Sequence, residues 1–178
     1  ISYMEYAMQK LKNAGFKAGG CTMCWTLPAE YNADFGRATL EAISKVYGPQ
    51  NVMIFNDTYA DPAIVYKDNN GYCAVKVPPV IGDIDTSLYS DTESNEQQIA
   101  LDADKMITED GESGVFVDII KSGKPLICLT HIQSLYTRGL ECGFKVYQTA
   151  VSRLNRKYQD KIQWMTAEEI VEMVANTQ

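Results

Sequence analysis

Residues 125–130, "PLICLT", are apolar at almost every position. A strand with no polar face has to be covered on both sides. That is the situation of a strand in a parallel sheet sandwiched between helices. The flanking segments supply suitable helices. Residues 2–13 place Met4, Met8 and Leu11 on one face, with Ser2 as a cap and Gly15 as a stop. Residues 33–47 turn Phe35, Ala42, Ile43 and Val46 inward and end at Gly48-Pro49. The spacing also predicts helices over 95–107, 113–123 and about 140–158. In the last of these, Phe144, Tyr147, Val151, Leu154 and Tyr158 recur at three- and four-residue steps. Thr166 and Glu169 form a capping box that starts a helix over 167 to about 175.

Strands alternate with these helices. "FKAGGCTMCW" reads as a short strand softened by two glycines, "NVMIFND" (51–57) as a buried strand, and "KIQWM" (161–165) as a last short one. "AIVYKDNNGYCAVKV" alternates on each side of Asn69-Asn70-Gly71, a hairpin signal closed by Pro78-Pro79. The expected class is α/β with a mostly parallel sheet and an inserted β-hairpin. The chain reads as a single domain over 1–178, with 62–95 as a hairpin and acidic-loop insertion.

Composition narrows the function. The 178 residues are 46% hydrophobic, enough for a core. A net charge of −7 argues against a nucleic-acid surface, which needs Lys and Arg. No apolar run approaches the roughly 18 residues of a membrane span. The start, "ISYMEY", has neither the basic nor the apolar part of a signal peptide. It also lacks an initiator Met, so the chain reads as processed or as a piece of something longer. Five cysteines leave an odd thiol, which favours reduced surroundings.

The only histidine, His131, directly follows the apolar run. In parallel α/β folds, reacting groups gather at the carboxyl ends of strands. Imidazole is also the side chain best suited to proton transfer near neutral pH. His131 is therefore a candidate catalytic group, with Gln133 and Ser134 as nearby partners. The plainer alternative is a half-buried histidine bonded to a backbone carbonyl. Asp57 follows the strand "NVMIF" and is a candidate site carboxylate by the same logic, or else a turn builder. Trp25, Tyr31, Tyr59, Tyr89 and Tyr136 stand in loops, where they could stack on sugar rings or anchor the loops.

Two further motifs are weak. Cys21-Thr-Met-Cys24 could be a redox pair or half a zinc site, but no second pair stands at ligand spacing, and packing explains it as well. From Asp83 to Glu112, ten carboxylates face one basic residue, Lys105. Asp83-x-Asp85 resembles the start of a calcium loop. However, Leu88 stands where the turn glycine belongs and Ser94 where the bidentate Glu belongs. A solvated acidic loop is the better reading.

The C-terminal third, "GKPLICLTHIQSLY" followed by a long helix and "KIQWMTAEEIVEMV", resembles the polysaccharide deacetylase (NodB-like) superfamily of barrels. "AMQKLKNAGFKAGGCTMCW" near the start is similar to a helix of the family that is followed by a strand ending in an aromatic residue. The resemblance implies a distorted (β/α) barrel, here a partial one. It implies hydrolysis of acyl amides or esters on a carbohydrate with a bound divalent metal such as zinc, and hints at an extracytoplasmic role. By that likeness His131 is the general acid and Leu129 lines the acetyl pocket; of the loop aromatics, Trp25, Tyr59 and Tyr136 are the candidates to stack on the sugar. The family's metal site uses an Asp and two His, whereas this chain has one His. The expectation is thus the C-terminal portion of a larger barrel, associated with an N-terminal half that carries the metal. The alternative is a relative that binds a glycan or a protein without cleaving it.

Overall fold

The structure, a computed structural model, describes residues 2–22, 28–55 and 61–177. They fall into two units, residues 1–79 with 164–178, and residues 80–163. No helix among the described residues is long and apolar enough to cross a membrane.

The first unit is built on an open four-stranded sheet. Its strands are β1 (Gly20–Thr22), β2 (Val52–Phe55), β3 (Ala63–Lys67) and β4 (Cys73–Lys76), in the order β1-β2-β4-β3. β1, β2 and β4 run parallel, and β3 is antiparallel to β4. The expected mostly parallel α/β sheet is thus present. The hairpin supplies an edge strand, β3, and an interior strand, β4. Its turn is closed by Asp68, whose Oδ1 accepts from the amides of Asn70 and Tyr72, both at 2.9 Å. Gly71 takes the positive φ of 92° that a side chain would resist.

Helices α1 (Ser2–Asn13) and α2 (Asn32–Tyr47) pack together. Met8 of α1, Leu40, Ile43 and Val46 of α2, and Val52 and Ala74 of the sheet form one core cluster. Leu11, expected inward, is exposed. Gly36 sits so close to the sheet that a Cβ there would lie 2.9 Å from Val65 and 3.0 Å from Ala74. Helix α7 (Ala167–Thr177) packs on β2, β3 and β4. Its capping box is formed: Thr166 N donates to Glu169 Oε2 at 2.6 Å, and Glu169 N to Thr166 Oγ1 at 3.2 Å.

The second unit holds α3 (Glu96–Met106), α4 (Val115–Lys121), the single-turn α5 (Ile132–Tyr136) and α6 (Cys142–Tyr158). Val146, Ala150, Leu154 and Tyr158 of α6, spaced four residues apart, face a core that includes Ala103, Met106, Phe116 and Val117. The expected stripe was offset, since Phe144 is exposed and Tyr147 and Val151 are only half-buried. Inside this unit Arg153 is buried and holds Glu109 at 2.8 Å and Asp104 at 2.7 Å.

Two expected strands are corrected. Residues 161–165 carry no strand pairing. Residues 125–130 are half-buried and, among the described residues, make one parallel bridge, Ile81 to Cys128. Among the described residues the apolar run has a partner on one side only, so it is not an interior strand of the sheet. Leu126 and Cys128 instead pack against the helical core of the second unit.

Candidate functional site

The single bridge is what builds the site. Val80 and Ile81 donate to Ile127 O at 2.8 and 3.3 Å, and Leu129 N donates to Ile81 O at 2.8 Å. Two residues beyond Ile81 stands Asp83, and three beyond Cys128 stands His131. The parallel register therefore carries a carboxylate and an imidazole to the same place across 48 residues of sequence. His131 N donates to Asp83 Oδ1 at 2.7 Å, and His131 Nδ1 lies 2.5 Å from Asp83 Oδ2. The ring remains in reach of solvent, with its side chain 62% exposed against 32% for Asp83.

His131 is extended (φ −88°, ψ 151°) and opens α5. Its carbonyl accepts from Ser134 N at 3.0 Å and Leu135 N at 3.1 Å. It therefore caps a short helix rather than closing a strand of the main sheet, which corrects the expected placement. The chain turns sharply after α5 through Thr137, Arg138 and Glu141, all at left-handed φ of 47°, 58° and 56°. Such non-glycine residues cost on the order of 1 kcal/mol each, so packing must hold them. Thr137 is fully buried; its Oγ1 donates to Ser134 O at 2.9 Å and accepts from Gly143 N at 3.1 Å.

Partial burial raises the Asp83 carboxyl. The backbone amide and ring of His131, together with the Ser134 hydroxyl, outweigh that effect and hold it below the usual aspartate value. Behind the pair lie Cys128 and Tyr147. Burial pushes the thiol up to about 11 and the phenol up to about 12, so both are neutral at pH 7. The buried hydroxyls of Thr130 and Tyr147 lack good hydrogen-bond geometry, although they are near enough to influence each other.

Of the expected site residues, His131, Leu129 and Tyr136 share one stretch. Leu129 is half-buried beside the bridge. Tyr136 is 53% exposed and Ile132 66%, four residues apart on α5, so they lie on one side of this short helix. Asp57, Trp25 and Tyr59 lie outside the described residues, as does Cys24. Tyr89, expected among the loop aromatics, is buried, and its hydroxyl donates to Asp102 at 2.7 Å. It is an anchor. The groove of this unit lined by α3 and α6 contains neither Asp83 nor His131.

Comparison of the chain with protein-family models, curated proteins and solved structures finds no match.

Among the described residues, no three or more His, Cys, Asp and Glu side chains form a group that could hold a metal ion. What Asp83 and His131 can do is handle a proton, with the carboxylate orienting the ring. Asp83 is the residue that sequence reasoning missed as a partner of His131, because the two stand 48 positions apart and nothing local links them.

Proposed function

We propose that the chain is a deacetylase-like hydrolytic unit acting on an acetylated glycan, with His131 as proton donor and Asp83 as the residue that positions it. The observation that supports this reading is the double contact between the two residues, with the imidazole still in reach of solvent. With Nδ1 turned to Asp83, Nε2 is the nitrogen that delivers the proton. Water adds to the acetyl carbonyl. The C–N or C–O bond of the tetrahedral intermediate then breaks, the Nε2 proton passes to the departing amine nitrogen or sugar oxygen, and the proton that the added water gives up recharges the imidazole as acetate is released. Exposed Ile132 and Tyr136 support a sugar face beside the ring, and half-buried Leu129 suits a methyl group. On this reading the open sheet of the first unit belongs to a barrel-like architecture.

A second reading, a glycan- or protein-binding module without turnover, rests on the same exposed Ile132 and Tyr136. One assay separates the two. Wild type, His131→Ala and Asp83→Asn are tested on acetylated sugars with and without added Zn²⁺ or Co²⁺. Acetate release that disappears in His131→Ala supports hydrolysis. Glycan binding in wild type without acetate release under any condition supports the module.

A further inference from the structure

Two segments of the second unit are tied together at both ends. At one end Asp83 takes the backbone amide and the ring of His131. At the other, Arg138 Nη2 donates to Tyr89 O at 2.8 Å and meets Asp91 at 3.2 Å. Residues 83–91 thus lie along residues 131–138. Each segment is also anchored inward. Ile84 and Tyr89 are buried in the core of the unit, and the Tyr89 hydroxyl donates to Asp102. Ser134 and Thr137 are buried on the other segment. Asp85 fixes the turn between Ile84 and Tyr89, its Oδ1 accepting from Ser87 N at 3.0 Å and Ser87 Oγ at 2.7 Å.

The side chains that these segments leave outside are of two kinds. Leu88, next to the core anchor Tyr89, is 51% exposed, and Ile132 and Tyr136 are exposed on α5. Large apolar side chains exposed together mark an interaction surface, and a backbone already pinned loses little freedom when a partner covers it. The charge beside them has one sign. From Asp83 to Glu96 stand five carboxylates and no Lys or Arg. His131, Arg138 and Lys105 approach the two segments, and each is engaged, by Asp83, Asp91 and Asp102 in turn. Among the described residues Asp85 and Glu93 form no salt bridge. An apolar centre with an acidic rim is complementary to a surface that carries apolar side chains edged by lysine or arginine.

We propose that residues 83–93 and 131–136 form a docking surface for a basic segment of another protein. Leu88, Ile132 and Tyr136 receive its apolar side chains, and Asp85 and Glu93 its lysines or arginines. Two of the three apolar side chains are aliphatic, which suits the leucines and valines of a peptide. The tyrosine supplies a large, rigid contact of the kind that dominates such interfaces. This deepens the second reading above, that of a binding module, and rests on it; release of acetate is not needed.

The test is fluorescence anisotropy of the whole chain with three labelled probes: a peptide of alternating lysine and leucine, its counterpart of alternating glutamate and leucine, and a glucosamine oligomer. The expected result is saturable binding of the lysine peptide that weakens as salt is added, and none of the glutamate peptide. Leu88→Ser should weaken binding about tenfold. Asp85→Asn keeps the oxygen that Ser87 uses and removes only the charge, and should weaken binding roughly threefold or more. Asp160 lies beyond the far end of α6, whose other end meets α5 through Gly143 and Ser134. Asp160→Asn should change nothing, which separates this surface from general attraction to a chain of net charge −7. Leu88, Asp85 and Asp160 are exposed, so these substitutions leave the core intact. No saturable binding of the lysine peptide, equal binding of the glutamate peptide, affinity unmoved by both Leu88→Ser and Asp85→Asn, or a loss in Asp160→Asn as large as in Asp85→Asn overturns the proposal. Binding of the glucosamine oligomer in place of the peptide overturns it while the module reading stands. Acetate release with neither probe bound overturns both.

Discussion

Asp83 grips His131 at two points, its Oδ1 taking the backbone amide at 2.7 Å and its Oδ2 meeting Nδ1 at 2.5 Å. A carboxylate used in this way fixes where the ring stands as well as which nitrogen it offers. The two halves of the contact can be separated by mutation. On the proposed hydrolytic reading, His131→Ala removes the proton donor and should lower kcat for acetate release by about 10²–10⁴-fold. Asp83→Asn keeps the shape but weakens the orientation, and should lower kcat by about a hundredfold with little change in KM. Steady-state kinetics on one acetylated sugar checks both. An Asp83→Asn enzyme whose loss lies wholly in KM would count against a positioning role.

The same contact makes stability depend on pH. The folded pKa of Asp83 lies below its ordinary value, so its carboxylate stabilises the native state above the unfolded pKa. That contribution is lost as pH falls through the folded pKa. The stability gap between wild type and Asp83→Asn should be full above about pH 5 and shrink progressively below about pH 4. Urea unfolding at a series of pH values measures it. A gap that widens on acidification has the wrong sign.

Gly143 sets how near α5 comes to α6. A Cβ there would lie 2.1 Å from Ser134 O, which is backbone and cannot swing aside. Gly143→Ala should therefore cost about 1–3 kcal/mol, as overpacking does. It should also displace the turn that follows His131, so on the proposed hydrolytic reading kcat should fall in the same variant. Urea midpoints and kinetics test the two effects independently. A variant of wild-type stability would show that α5 is loosely held.

Arg153 joins α6 to the acidic region. Its Nε donates to Glu109 at 2.8 Å, and its Nη1 to Asp104 at 2.7 Å and Ile107 O at 2.8 Å. Arg153→Met preserves much of the stem but strands the buried carbonyl, and should cost about 1–3 kcal/mol. Glu109 and Asp104 are 70% and 47% exposed, so water takes them back readily. Glu109→Ala or Asp104→Ala should each cost under about 1 kcal/mol. Chemical denaturation compares them, and equal losses in all three would refute this ranking.

What the sequence displayed plainly was local. The periodicity of 2–13 and 33–47, the Asn-Gly turn at 70–71 and the Thr166–Glu169 box each became the element they signalled. These signals act within a few residues, through side-chain spacing and backbone conformation. The run "PLICLT" misled because an apolar composition is equally well served by packing against helices as by a sheet on both sides. The α6 stripe was misread because Phe144 and Val146 are both apolar, and composition alone does not say which of them faces the core.

The amino-acid sequence alone determined the α/β class and marked His131 as the residue to watch, since both follow from local pattern and side-chain chemistry. Only tertiary structure brought Asp83 to that ring. That meeting depends on register between segments distant in sequence, which is selected by the packing of a whole unit and written in no short stretch of residues.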